Sequence, residues 1–186
     1  MSRIWKTLNS EIILRTPGVD VRRDCVELRN GNTIDYYVFE IREWASIVPV
    51  TEDGKLVLVE QYRHACGGIT VEFPAGLVDP RDASPLDTAR RELEEETGYT
   101  SDDWTFLGKF QLGPSKIRNA FHLYCARHCR LTGAQNLDDT EDIRVVTVTV
   151  EEFQKLFESG KITDVDSAIG WLLCRSNGIL SSTWPA

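Results

Sequence analysis

Apolar side chains along the 186-residue chain recur at two spacings. Residues 21–28 and 33–41 are two segments rich in β-forming residues, and Asn30-Gly31 between them suits a tight hairpin turn. Apolar residues then crowd into 46–50 and 55–60 on either side of Thr51-Glu52-Asp53-Gly54, which predicts a second hairpin made of buried strands. Residues 71–76, Val-Glu-Phe-Pro-Ala-Gly, form a short extended segment that ends in structure breakers. From Ser84 the spacing changes. Leu86, Ala89, Leu93 and Thr97 follow one another at three- and four-residue intervals, the mark of a helix with one face on a core. Ser84 is a good cap for it, Pro85 fits its first turn, Asp87 favours its positive end, and Gly98 stops it. Further strands are expected at 104–110, 120–126 and 144–150, with helices at 151–159 and 165–176. Hairpins interleaved with helices predict an α/β (α+β) sandwich with a mixed sheet, not a doubly wound parallel one.

Composition narrows the setting. With 41% hydrophobic and 27% charged residues the chain reads as one compact globular domain, with room for a small accessory lobe. No apolar run reaches the roughly 18 residues of a membrane span, and Met1-Ser2-Arg3-Ile4-Trp5-Lys6 lacks the apolar stretch of a signal peptide, so a cytoplasmic location and no membrane partner are expected. A net charge of -8 argues against a broad nucleic-acid surface, because phosphate backbones are bound by clustered Lys and Arg. The five cysteines, Cys25, Cys66, Cys125, Cys129 and Cys174, are scattered and odd in number, which reads as reduced thiols. A zinc cluster of His122, Cys125, His128 and Cys129 is disfavoured, since 122 and 125 would point to opposite faces of a strand.

The densest chemistry lies in Arg91-Glu92-Leu93-Glu94-Glu95-Glu96-Thr97-Gly98-Tyr99. On a helix Glu92, Glu95 and Glu96 stand at i, i+3 and i+4, so their carboxylates can converge on one side while Leu93 points inward. Convergent oxygens suit a hard divalent cation, and Mg²⁺ takes a few carboxylates together with water and phosphate oxygens. Taken alone, the same glutamates read as a solvated acidic face.

Their context resembles a known pattern. Gly76, five residues, Asp82, eight residues, then Arg91-Glu92-Leu93-x-Glu95-Glu96-x-Gly98-Tyr99 is similar to the box of the Nudix hydrolases, in which Glu stands at the position of Asp82 and the second spacer is one residue shorter. The departures fall in the loop before the helix and bear on Asp82. Gln61-Tyr62-Arg63 and Glu72-Phe73-Pro74-Ala75-Gly76 resemble segments of the ADP-ribose pyrophosphatase branch, and the N-terminal hairpin is similar to that branch's accessory lobe.

The resemblance implies a Nudix-type α/β/α sandwich over residues 44–186 and a β-lobe over 1–43 that serves dimerisation and the substrate pocket. It implies Mg²⁺, with Mn²⁺ as a substitute, held mainly by Glu92 and Glu96, with Glu95 assisting and the main-chain carbonyl of Ala75 completing the site. It also implies that the acidic stretch Asp138-Asp139-Thr140-Glu141-Asp142 is a mobile loop carrying a catalytic carboxylate, with Glu141 as the nearest match and Asp139 next; by itself the stretch is a solvated turn. Arg91 is placed to pair with Glu95 one turn on and hold it.

Substrate contacts are more open. Arg63 offers a planar donor fork to a phosphate, or forms a salt bridge at a strand edge. Arg118 and Lys116 add positive charge, or merely belong to a connecting loop. Trp5 is a candidate for stacking on a base, and Trp44 reads as packing. The reaction implied is hydrolysis of the pyrophosphate bond of a nucleoside diphosphate derivative, with ADP-ribose giving AMP and ribose 5-phosphate, in a homodimer. Rival readings are another nucleotide sugar or dinucleotide as substrate, a Nudix module that senses nucleotides without cutting them, and an interaction protein with an exposed acidic helix.

Overall fold

The computed structural model describes residues 4–180. In chain order its elements are β1 (Lys6–Leu14), β2 (Val19–Glu27), β3 (Thr33–Ile41), β4 (Trp44–Thr51), β5 (Leu56–Arg63), β6 (Gly68–Glu72), β7 (Ala75–Leu77), α1 (Pro85–Thr97), β8 (Tyr99–Thr100), β9 (Asp103–Phe110), β10 (Ile117–Arg118), β11 (Phe121–Leu131), β12 (Ile143–Val148), α2 (Val150–Glu158) and α3 (Val165–Ser176). No helix among the described residues is long and apolar enough to cross a membrane.

Two compact units result. The first comprises the chain up to Glu43 together with Phe110–Ala120. Its sheet runs in the order β1, β2, β3, β10, with β2 antiparallel to both β1 and β3. Residues 110–120, which a division of the chain at 43/44 leaves with the second unit, belong here because β10 lies parallel to β3, Ile117 opposite Phe39. The β2–β3 turn is wider than a two-residue hairpin: Leu28 and Asn32 close it, Gly31 N–H donates to Leu28 O at 3.0 Å, and Gly31 rather than Asn30 takes the positive φ, 81°. Every residue of β1 is exposed in the single chain, including Leu8, Ile12, Ile13 and Leu14.

The second unit is a sheet covered on both faces. At its centre β4 runs parallel to β11, with β7 antiparallel to β4. Alternation along the two central strands sorts their side chains by parity. Ala45, Ile47, Tyr124 and Ala126 meet Ala89 and Leu93 of α1. Val48, Val50 and Cys125 meet Phe153 of α2 and Trp171 and Cys174 of α3. On that second side Phe73 stacks on Phe153 at 5.0 Å between centroids, and Phe153 meets Trp171 at 4.7 Å. Helix, sheet and helices thus form an α/β/α sandwich with a mixed sheet, the class expected. The hairpin predicted for 46–50 and 55–60 is barely formed, since only Val50 and Leu56 pair before the strands part. β4 goes to β7 and β11, and β5 to β6 and β12.

Candidate active site

Helix α1 carries the carboxylates, and local chemistry fixes where it starts and ends. Ser84 caps it, its hydroxyl oxygen accepting from Asp87 N at 3.3 Å, and Gly98 N–H closes the last turn on Glu94 O at 2.8 Å. Ala89 and Leu93 are fully buried against the sheet. Burying that stripe turns Glu92 and Glu96, one turn apart, toward β7, so that both are nearly buried, at 8% and 3% exposure.

The backbone of β7 receives them. Ala75 N–H donates to Glu96 Oε2 at 3.1 Å. At Gly76 the fit is tighter still, since a Cβ there would lie 1.9 Å from Glu92 Cδ. The absence of a side chain at Gly76 is therefore what lets the Glu92 carboxylate lie where it does. Burial pushes Glu96 up to about 9, the charges of Glu92 and Glu141 push the same way, and Ala75 N–H and Arg63 oppose them. Burial also raises Glu92, against the pull of Arg91.

Arg91 sits among three acids. Its Nη1 reaches Glu95 Oε2 and Glu92 Oε1, both at 2.8 Å, and its Nη2 reaches Asp82 Oδ2 at 3.1 Å. Asp82 also accepts from Thr88 Oγ1 at 2.8 Å, and Arg91 lowers its pKa. The expected Arg91–Glu95 pair is present, and the acid that departs from the box pattern makes a contact of its own. Sequence reasoning gave Asp82 no firm task. Its distance of nine residues from Arg91 on a helix-entry loop was the available signal.

Glu141 lies on the loop before β12, partly buried, and its charge is felt at both Glu92 and Glu96. Its carboxylate accepts from Asp138 N at 3.0 Å. Asp139 is exposed. Arg63, at the end of β5, forms the strand-edge bridge: Nε and Nη2 hold Glu72 Oε1 at 2.8 and 2.7 Å. Glu72, missed as a partner, sits on β6, which turns back to pair with β5. Arg63 remains close enough to act on Glu96.

The other candidates have partners elsewhere. Trp5 packs edge-on against Tyr36 at 5.9 Å, Lys116 Nζ lies 3.6 Å above the Tyr36 ring, and Arg118 pairs with Glu40 at 3.3 Å, all within the first unit. Trp44 stacks on Phe121 and donates through Nε1 to Asp166 at 2.9 Å, a packing role.

Among the described residues no three His, Cys, Asp or Glu side chains close around one point. Glu95 meets Glu92 at Arg91 Nη1, each at 2.8 Å. The remaining donor set nonetheless fits a hard cation. Two buried carboxylates, each with its proton affinity raised by burial, are relieved by a proton or by a divalent ion, and all the oxygens are of the kind Mg²⁺ prefers.

Comparison with known proteins agrees with this geometry. The NUDIX domain family matches residues 41–165, and the nucleoside diphosphate sugar hydrolase N-terminal domain matches 5–39. The chain is 33% identical over 164 residues to the ADP-ribose pyrophosphatase of Bacillus subtilis (strain 168), covering 88% of each. It is 32% identical over 165 residues to the methanol dehydrogenase activator of Bacillus methanolicus, covering 88% of this chain and 89% of that one. A crystal structure of an ADP compounds hydrolase superposes with a TM-score of 0.82 at 26% identity, covering 92% of both chains. With its box glutamates gathered over Gly76 and a family match over most of its length, the chain belongs to the Nudix hydrolases.

Proposed function

We propose that this enzyme hydrolyses the pyrophosphate bond of ADP-ribose, releasing AMP and ribose 5-phosphate. The observation that carries the reading is the placing of Glu92 and Glu96, buried and side by side against Ala75-Gly76, with the charges of Glu141 and Arg63 acting on the same spot. The names of the relatives, ADP-ribose pyrophosphatase and ADP compounds hydrolase, support the choice of an adenine nucleotide.

In this reading Glu92 and Glu96 hold Mg²⁺, or Mn²⁺ in its place, with Glu95 and the Ala75 carbonyl assisting. When bound, the ion spreads the charge of the diphosphate and acidifies water. Arg91 holds Glu92 and Glu95 aimed, and Asp82 anchors Arg91 from the other side. Glu141 takes the proton of the attacking water, because a carboxylate on a loop beside the site is not committed to the cation. Arg63 turns its free edge to a phosphate oxygen. Trp5, on the lobe matched to the N-terminal domain of nucleoside diphosphate sugar hydrolases, stacks on the base, and Arg118 adds charge near it.

The enzyme works as a homodimer. The wholly exposed β1, with Leu8, Ile12 and Leu14 on it, supports pairing of the first unit with a second copy, since a long apolar edge strand in water invites association. A cytoplasmic location accords with five free cysteines.

The test is product analysis. The purified chain is incubated with ADP-ribose, a GDP-sugar and a dinucleotide, each with Mg²⁺ and with chelator, and the products are separated. AMP with ribose 5-phosphate, formed fastest from ADP-ribose and only with the metal, is the expected result. Faster cleavage of another nucleotide moves the substrate assignment, and binding without cleavage overturns the catalytic reading. Light scattering on the same sample checks the dimer.

A further inference from the structure

The last turn of α1 leaves carbonyls that the helix itself cannot satisfy, and the chain that follows β11 supplies donors for them. Thr132 N–H and Gly133 N–H donate to Gly98 O at 2.9 and 3.2 Å. Asn136 N–H donates to Glu95 O at 2.9 Å, and Gln135 Nε2 donates to Glu96 O at 2.7 Å. The same nitrogen of Gln135 reaches Ile143 O, the first residue of β12, at 3.2 Å. A carboxamide nitrogen carries two hydrogens, and here each finds a carbonyl. The opposite amide orientation would set an oxygen against two oxygens.

Between Asn136 and Ile143 lie six residues, among them Asp139 and Glu141. One end of this loop is tied to Glu95 O by the main chain, and the other to Glu96 O through a single side chain. The two anchoring carbonyls belong to consecutive box glutamates. Glu96, whose side chain meets Ala75, thus fixes the far end of the loop through its main chain. We propose that Gln135 is a positioning residue: it clamps both the last turn of α1 and the start of β12, and so sets Glu141 at its working distance from Glu92 and Glu96. This rests on the assignment of Glu141 as the base.

Because Gln135 touches no reacting atom in this scheme, its loss should lower turnover without abolishing it. Gln135→Met keeps length and removes the donors. Gln135→Glu keeps length and sets a carboxylate against two carbonyls, so it should be the worse of the two. Since Gln135 is exposed, neither change should prevent folding.

The experiment combines steady-state kinetics on ADP-ribose with Mg²⁺ and amide hydrogen exchange on the full chain, for Gln135→Met, Gln135→Glu, Glu141→Gln and the double variant Gln135→Met with Glu141→Gln. The expected result for Gln135→Met is a kcat lower by up to about thirtyfold, as fits the loss of two net hydrogen bonds, with KM within about twofold. Exchange should quicken in residues 137–142 and stay unchanged in α1. In the double variant kcat should be no lower than in Glu141→Gln alone. Unchanged exchange in 137–142, or losses that multiply in the double variant, would overturn the proposal. If Glu141→Gln turns over like the wild type, the base assignment falls separately, and the exchange data still decide whether Gln135 holds the loop.

Discussion

The carboxylate of Glu92 and the backbone of Gly76 are so close that a single methyl group at 76 would lie 1.9 Å from Glu92 Cδ. The φ of Gly76 is not positive, so alanine fits the backbone there, and the conflict is with the carboxylate alone. Gly76→Ala should therefore fold, with Glu92 driven off its place and kcat about a hundredfold lower, as small misplacements of reacting groups cost. Activity assays beside a thermal melt check this. Wild-type turnover would show that Glu92 is not needed where it stands.

Glu96 gives two tests. Removing its charge with Glu96→Gln should lower kcat by at least about a hundredfold if that carboxylate holds the ion that stabilises the transition state.

The same variant bears on stability in metal-free protein. Burial raises the folded pKa of Glu96 from 4.5 to about 9, so the folded state holds a proton that the unfolded state releases. Its contribution to stability is intact below pH 4.5 and is lost as pH rises toward 9. The melting temperature of chelator-treated wild type should fall across that window, and Glu96→Gln should flatten the fall. Parallel curves for the two proteins would refute the burial argument.

Arg91 holds three acids with one fork, at 2.8, 2.8 and 3.1 Å. A lysine offers one point charge and cannot span them, so Arg91→Lys should cost about tenfold in kcat, with Asp82→Asn milder because it removes one arm of three. Equal kinetics for Arg91→Lys and wild type would reduce this cluster to surface pairing.

What the sequence disclosed follows from how local each signal is. The bounds of α1 were legible because Ser84, Pro85 and Gly98 act on their own neighbours, and the i, i+4 spacing of Glu92 and Glu96 follows from helix geometry. β1 was missed, for it buries nothing within the single chain and exists through its register with β2. β11 runs on to Leu131 past an irregularity between Ala126 and Cys129, where His128 takes φ 53°, a feature without a local code. The 46–50 and 55–60 hairpin opened because β7 and β6, which come later in the chain, take the edges that β4 and β5 would turn to one another. Gln135 escaped notice for the same reason, since its bond to Glu96 O spans 39 residues.

The division of labour between Glu141 and Asp139 is the remaining test. A carboxylate bound to a divalent ion is a poor proton acceptor, because the ion stabilises its charged form. That argues for a base outside the helix, and the loop before β12 offers two. Glu141 is partly buried and its charge acts on Glu92 and Glu96, while Asp139 is exposed and is not among the charges that move either group. Asp138 N–H also holds the Glu141 carboxylate, a local bond that orients it within the loop. Glu141→Gln should then lower kcat by about a hundredfold or more, in the range of lost general-base catalysis, with KM and metal affinity little changed. Asp139→Asn should stay within about threefold of wild type, as expected for an exposed group with no part in proton transfer. Matched kinetics at saturating Mg²⁺ decide between them: a larger loss in Asp139→Asn moves the base to Asp139, and two harmless substitutions remove the loop from the chemistry.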